Sequence, residues 1–323
     1  MDIVNLFVTV FTRPDLWAGT LRFAAPLTLA ALGGVISERS GVVNIAMEGM
    51  MLVGAFFAVL VAAATHDIVL ATLASVVCGG LIATFHGVAS IHLRANQIVS
   101  GLALTIFAGA AGLSSYLGND LNLADSPAKH SFDALAPHSL QNLPVVGPIV
   151  FGQSLLVYAS WACVLVVMLY LSRTRPGLNV RAVGESPAAA DTMGINVTTY
   201  RYAHTLAGGA FAGVAGATVT LAITPQWVNG ITGGAGWIAI ALVIFAFWRP
   251  ELCLVGAYFF GALQALAPQL QARNISLGPT VLWTNALPYV MTVLVLVVVS
   301  SGTARRRLDA PAALGVPYVR EEH

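Results

Sequence analysis

The chain has 323 residues, of which 57% are hydrophobic and 9% charged, and its formal net charge is +1. A soluble domain carries about 25% charged residues, so this composition excludes an ordinary globular protein and predicts an all-α polytopic membrane protein. The small net charge gives no indication of nucleic-acid binding.

Nine segments are apolar enough to cross the bilayer fully or in part, since a spanning helix needs about 20 residues. They are Trp17–Ile36, Ile45–Ala64, Val69–Ile91, Gln97–Leu117, Ser154–Leu171, Tyr202–Ile223, Gly236–Trp248, Leu252–Leu270 and Val281–Ser300. The seventh has 13 residues, so a half-span or re-entrant helix stays open for it beside a full crossing. We expect one transmembrane domain over residues 1–323, with the bundle at 17–300.

If the chain crosses the membrane at each of these spans in turn, the basic residues are distributed unequally between its two sides. Eleven of the fifteen fall on the side of Arg173–Arg201, three fall on the other, and Arg22 lies inside the first span. The positive-inside rule then predicts a cytoplasmic coupling loop at 172–201 and a cytoplasmic tail at 301–323. It also predicts an outside N-terminus and an extracytoplasmic loop at 118–152.

The polar stretch Arg173–Arg201 contains the signals of a short helix. Ser186 suits the N-cap, Pro187 the first helical position, and Gly194 the left-handed residue after the helix. A helix of this length is marginal in water, so we expect it to form against another surface, for which a partner protein is the first candidate.

Two Gly- and Asn-rich interruptions, Gly33–Gly54 and Trp227–Trp248, break the apolar pattern, one in each half. Paired interruptions of this kind point to a transport site. Glu48 is the only acid well inside a predicted span, which makes it a functional candidate, more structural or gating than ligand-binding. The alternative is a purely structural hydrogen bond to a helix terminus or to Asn44. The predicted substrate-pathway residues are Asn44, Glu48, Asn229 and Trp237.

Other classes of function have little support. The single lysine, Lys129, is followed by His130, so no GxxxxGK[ST] phosphate loop exists and the chain is not its own P-loop ATPase. Motifs of hydrolases and metalloproteases are also missing, which argues against an enzyme. A secondary transporter stays open as the weaker alternative, because it should carry more ionisable groups at the midplane than Glu48 alone.

Four stretches occur in order along the chain: PLTLAALGGVISERSGVVNIAMEGMMLVGAFFA (Pro26–Ala58), ANQIVSGLAL (Ala95–Leu104), GLNVRAVGESPAAADTMGINVTTYRY (Gly177–Tyr202) and GGAGWIAIALVIFAFWRP (Gly233–Pro250). Together they closely resemble the permease subunits of bacterial ATP-binding cassette (ABC) importers for nucleosides, relatives of the ribose-type and branched-chain amino-acid permeases. The sequence departs from that pattern at Ala246–Phe247, where glycine followed by a basic or polar residue is usual.

The resemblance implies a multi-pass subunit of the bacterial inner membrane, surrounded by lipid, that works with three partners. These are a second permease subunit, a cytoplasmic ABC ATPase and an extracytoplasmic substrate-binding protein. ATP and Mg²⁺ would bind to the ATPase, and this chain would bind no cofactor. The short helix would be the coupling segment that docks on the ATPase, through Glu185, Ser186, Ala189, Asp191 and Gly194. Nucleosides are the substrate that the resemblance implies, with a simple sugar such as ribose as the alternative.

Overall fold

The computed structural model describes residues 12–109, 112–123, 131–271, 286–294, 297 and 310–320. Within them the chain forms helices α1 (Pro14–Arg39), α2 (Met47–Thr65), α3 (Ile68–Gly87), α4 (Gln97–Ala108), α5 (Leu113–Asp120), α6 (His138–Gln141), α7 (Leu155–Arg173), α8 (Arg175–Glu185), α9 (Pro187–Thr192), α10 (Val197–Thr218), α11 (Ala235–Phe245) and α12 (Pro250–Gln271). Single π-helical turns follow α3 at Val88–His92 and α10 at Val219–Ile223, and another lies at Gly147–Phe151.

Seven helical segments in the described part of the chain are long and apolar enough to cross a membrane. They are Pro14–Arg39, Met47–Thr65, Ile68–His92, Gln97–Asp120, Leu155–Arg173, Val197–Ile223 and Pro250–Gln271, which match seven of the nine predicted segments. The predicted segment Val281–Ser300 lies largely outside the described residues, although 286–294 are helical. The prediction of an all-α polytopic membrane protein is confirmed.

The predicted segment Gly236–Trp248 forms the short helix α11. Its 11 residues extend about 16 Å at 1.5 Å per residue, which is about half of the 30 Å hydrocarbon layer. The preceding stretch, residues 224–234, is not helical. Such backbone is tolerated at membrane depth where protein covers it or where it lines a water-filled cavity. The helix therefore cannot cross the layer by itself, which resolves the alternative that the sequence left open in favour of a half-span.

Helix α10 lies at the centre of the bundle and packs against α1, α2 and α3. Its small residues make this possible, because Gly208 lies against Gly33 of α1 and Gly209 against Gly79 of α3. Gly213 and Gly216 give the same close approach to α3 and α2. In an apolar solvent, close backbone packing is a main source of helix association. The small-residue repeat of this helix thus serves packing within the chain.

The connection between α11 and α12 has an unusual backbone. Phe247 and Trp248 both have left-handed conformations, with φ of 51° and 54°. That conformation costs about 1–2 kcal/mol for a residue with a side chain. The Arg39 guanidinium at the end of α1 donates to both carbonyls, at 3.2 Å to Trp248 O and 3.4 Å to Phe247 O. The turn at which the sequence departs from the family pattern is therefore held by α1.

The described part of the predicted outer loop contains α6 and one π-helical turn, joined by irregular chain. The Phe132 N–H donates to Leu221 O at 2.8 Å, so this segment lies over the π-helical turn that follows α10.

Candidate functional site

The two Gly-rich interruptions meet where the Glu48 carboxylate caps the beginning of α11. Oε2 accepts from Gly236 N at 2.7 Å, and Oε1 accepts from Gly234 N at 3.1 Å and from Thr232 Oγ1 at 2.5 Å. The first N–H groups of a helix have no partner within it and carry a partial positive charge. Glu48, which is 6% exposed, satisfies two of them and neutralises that end of the half-span.

Glycine is required at this junction for steric reasons. A Cβ atom at position 236 would lie 2.5 Å from Glu48 Cα, so a larger residue would push α11 away from α2. Gly234 has a φ of +78°, a conformation that side chains disfavour. The Gly-rich sequence before α11 therefore reflects both a close approach and a left-handed turn.

The structure separates the four predicted pathway residues into two groups. Asn44 and Glu48 are buried, whereas Asn229 and Trp237 are exposed, Trp237 by 39%. Glu48 accepts its hydrogen bonds from the beginning of α11 and not from Asn44. The Asn44 Nδ2 points instead to Met50 Sδ, at 3.7 Å. The Asn229 amide donates to Asn119 Oδ1 at 3.0 Å, at the end of α5. Of the structural alternatives weighed for Glu48, the helix terminus is the one observed.

The predicted coupling helix is present as α9. Ser186 Oγ accepts from Ala189 N at 3.4 Å, and Gly194 has a φ of +81°. The face that includes Ala190 is buried, whereas Ala189 is exposed and the Met193 side chain is 81% exposed. A second helix that the sequence reasoning missed, α8, precedes it directly and begins with a Thr174 cap. One face of α9 therefore packs against the chain and the other is exposed.

The described end of the chain, residues 310–320, packs behind α8 and α9, and we call it the tail strap. Its backbone N–H groups donate from Ala313 to Gly184 O at 2.9 Å and from Ala312 to Glu185 Oε2 at 3.3 Å. Tyr318 and Arg320 both bind the Asp191 carboxylate, at 3.1 Å and 3.0 Å. Part of the support that the sequence analysis expected from a partner protein thus comes from this chain itself.

The tail strap also reaches the transmembrane helices. Gly315 N donates to Gly41 O at 3.1 Å, just after α1, and Arg201 Nη1 of α10 donates to Val316 O at 3.0 Å. Burial beside Asp191, together with the hydrogen bond to it, raises the pKa of Tyr318, so the hydroxyl stays a donor at neutral pH. The strap therefore joins α9 to α1 and α10.

Residues 16–298 match the family described as "Branched-chain amino acid transport system / permease component". The chain belongs to this family. No solved structure matches it.

Three relatives cover almost all of the permease. It is 39% identical to the putative glucose ABC transporter permease protein TsgC13 of Haloferax volcanii, over 94% of this chain and 96% of the relative. It is 36% identical to the guanosine ABC transporter permease protein NupQ of Bacillus subtilis, over 99% of each chain. It is 34% identical to the nucleoside ABC transporter permease protein NupC of Lactococcus lactis, over 100% of each chain. The resemblance noted in the sequence is confirmed, and this chain is a membrane-spanning permease subunit of an ABC transporter.

Sequence reasoning missed two buried charged groups of the permease. Glu48 is not the only buried acid, because α1 continues to Arg39 and places Glu38 inside, 4% exposed, where its Oε2 accepts from Trp248 Nε1 at 2.6 Å. Arg201 was assigned to the cytoplasmic loop, yet it lies within α10 and is 2% exposed beneath the tail strap. Both residues lie next to the end of a predicted span. There, extending the helix by one turn decides whether the side chain is buried.

Contacts also show which loops of the permease share one end of the bundle. Arg39 binds the turn before Arg249, and the tail strap binds α8, α9 and the residues after α1. A cavity of about 520 Å³ is lined by Arg94, Asp191 and Arg320 among others. These are the basic loops that the alternation of spans assigned to one side, so we call this end the basic end.

Proposed function

We propose that this permease forms, with a second permease subunit, the route by which nucleosides enter the cell. The observation that carries the substrate class is its similarity to a guanosine permease and a nucleoside permease along their whole lengths. A substrate-binding protein outside the membrane would deliver the nucleoside. A cytoplasmic ABC ATPase would hold ATP and Mg²⁺ and drive transport, and this chain would bind neither.

The basic end is the cytoplasmic end in this proposal, because short loops rich in arginine are retained inside. The membrane is then the bacterial inner membrane, with the N-terminus outside and the C-terminus in the cytoplasm. The exposed face of α9 would dock on the ATPase. Glu185 and Asp191, which bind the tail strap, would act in coupling by holding α9 in place and not by direct contact alone.

A simple sugar is the second candidate substrate, and the observation that favours it is the 39% identity to a putative glucose permease. Uptake by the complete transporter in vesicles separates the two. We expect radiolabelled guanosine to accumulate with ATP and to be displaced by other nucleosides. Displacement by an excess of glucose or ribose, with no effect of nucleosides, would assign the sugar instead.

The pathway role of the interrupted segments has its own test. If Glu48 and Asn229 act in the route, Glu48→Gln or Asn229→Ala should lower the uptake rate at saturating substrate. Capture of substrate by the isolated binding protein should stay unchanged, because high affinity belongs to that protein. Full-rate uptake by both variants would leave these residues with a packing role only.

Coupling is tested at α9. The Ala190 N–H donates to Ser186 O at 3.0 Å, whereas the Ala189 N–H makes only the long cap contact, so Ala190→Pro disrupts the helix more surely than Ala189→Pro. Gly194→Val should act similarly through its positive φ. We expect both variants to insert in the membrane but to lose substrate-stimulated ATP hydrolysis. Ala190→Ser, which keeps the N–H group, is the matched control. Normal stimulation in the proline variant would remove α9 from coupling.

A further inference from the structure

A groove at the basic end carries an excess of positive charge. It has a volume of about 280 Å³, lies where α1, α7, α8 and α12 come together, and is lined by Arg39, Arg181 and Arg249. The one carboxylate in its lining, Glu251, pairs with Arg249 at 2.7 Å. The exposed Arg181 makes no hydrogen bond or ion pair within the described residues. The side chains that line the groove therefore carry two more positive charges than negative ones, although Arg39 is held by the carbonyls of Phe247 and Trp248.

Exposed apolar side chains of α7 and α12 lie on the membrane side of the groove. Met168 lines the groove, and Leu165, one turn nearer the membrane centre on the same face of α7, is 57% exposed. On α12 the residue one turn beyond Glu251 is Val255, which is 64% exposed, and Phe259 follows at 42%.

We propose that this groove binds an anionic phospholipid of the leaflet at the basic end. The phosphate would bind Arg181 and the Nη1 group of Arg249, whose Nε and Nη2 hold Glu251, and an acyl chain would lie along the exposed Leu165 and Val255. Basic pockets between helices on the cytoplasmic side are suited to such head groups, and guanidinium groups bind phosphate oxygens in pairs. A free phosphate would use the arginines alone and would make no contact with the exposed apolar side chains of α7 and α12.

The test uses the full-length permease, purified in mild detergent with the subunits that accompany it. Phosphatidylglycerol with a photoactivatable acyl chain is added, and the labelled peptides are identified by mass spectrometry. Phosphatidylcholine with the same chain is the neutral probe. We expect phosphatidylglycerol to label peptides of α7 and α12 at least tenfold more strongly.

Matched arginine pairs decide whether the groove is specific. Replacing Arg181 and Arg249 with Gln should weaken phosphatidylglycerol binding roughly thirtyfold, at about a fivefold loss per arginine near a membrane surface. The same double change at Arg173 and Arg175, which are exposed nearby but do not line the groove, should weaken it less than threefold. Unfolding temperatures measured in phosphatidylcholine verify that both proteins are folded, and Arg181→Gln alone serves if the double variant is not.

Four results would overturn the proposal. Equal labelling by the two lipids would remove head-group recognition, and equal losses in the two arginine pairs would reduce it to general surface charge. If millimolar inorganic phosphate displaced the labelled phosphatidylglycerol as effectively as unlabelled lipid does, the groove would be a site for free anions. Loss of labelling when additional ABC ATPase binds would assign the groove to a protein interface.

Discussion

Replacing Glu48 with Gln should destabilise the junction between α2 and α11. The two oxygens of Glu48 accept from three donors, of which two are backbone N–H groups. A glutamine has one acceptor oxygen, so either orientation of its amide leaves its NH₂ group facing Gly234 N or Gly236 N. An unsatisfied buried N–H costs about 1–3 kcal/mol, and the remaining hydrogen bonds lose their charge assistance.

The total loss of stability from Glu48→Gln is roughly 3 kcal/mol. For a chain of this length, it should lower the unfolding temperature by about 5 °C. Tryptophan fluorescence during heating of the purified protein measures this shift. Glu48→Ala, which removes all three acceptor contacts, should shift the midpoint further. Asp15→Asn is the matched control, because that carboxylate is 59% exposed and its only ion pair among the described residues, with Arg13, spans 4.0 Å. If Glu48→Gln unfolds within 1 °C of the unmodified protein, the capping role is wrong.

Three further predictions concern packing, the tail strap and sidedness. Gly79→Ala should destabilise the bundle by roughly 1–3 kcal/mol, because the added methyl group overlaps a backbone carbonyl of α10. Gly80→Ala, whose nearest neighbour is 3.9 Å away, should stabilise the bundle by up to about 1 kcal/mol. Similar shifts of the unfolding temperature for the two variants would refute this packing. Gly315→Val should release the tail strap, because Gly315 has a positive φ of 77° that a valine disfavours. The rates of amide hydrogen exchange in α8 and α9 should then rise at least tenfold. Unchanged rates would show that the strap does not hold these helices. In a cysteine-free background, Met193→Cys should react with a thiol reagent only from the cytoplasm, and Leu135→Cys only from outside. The native side chains at these positions are 81% and 60% exposed. The reverse pattern of labelling would invert the orientation.

The sequence by itself determined the class of protein and the local elements. Apolar length is a property of each segment, so seven spans could be predicted from hydropathy alone. The beginning and end of α9 were predictable for the same reason, because Ser186 and Gly194 act on backbone groups within a few residues of themselves. The short length of α11 was also visible, as was the break before it.

Only the tertiary structure decided what the buried polar groups contact. Glu38 meets Trp248 across 210 positions, and Glu48 meets Gly236 across 188. The buried Arg201 donates to a strap 115 positions later in the chain. Sequence cannot supply these pairings in a membrane protein, because lipid is as apolar as the protein interior, so apolar patterning does not reveal which face of a helix meets which neighbour. The close approach of glycines on α1, α2, α3 and α10 fixes those faces, and with them the site.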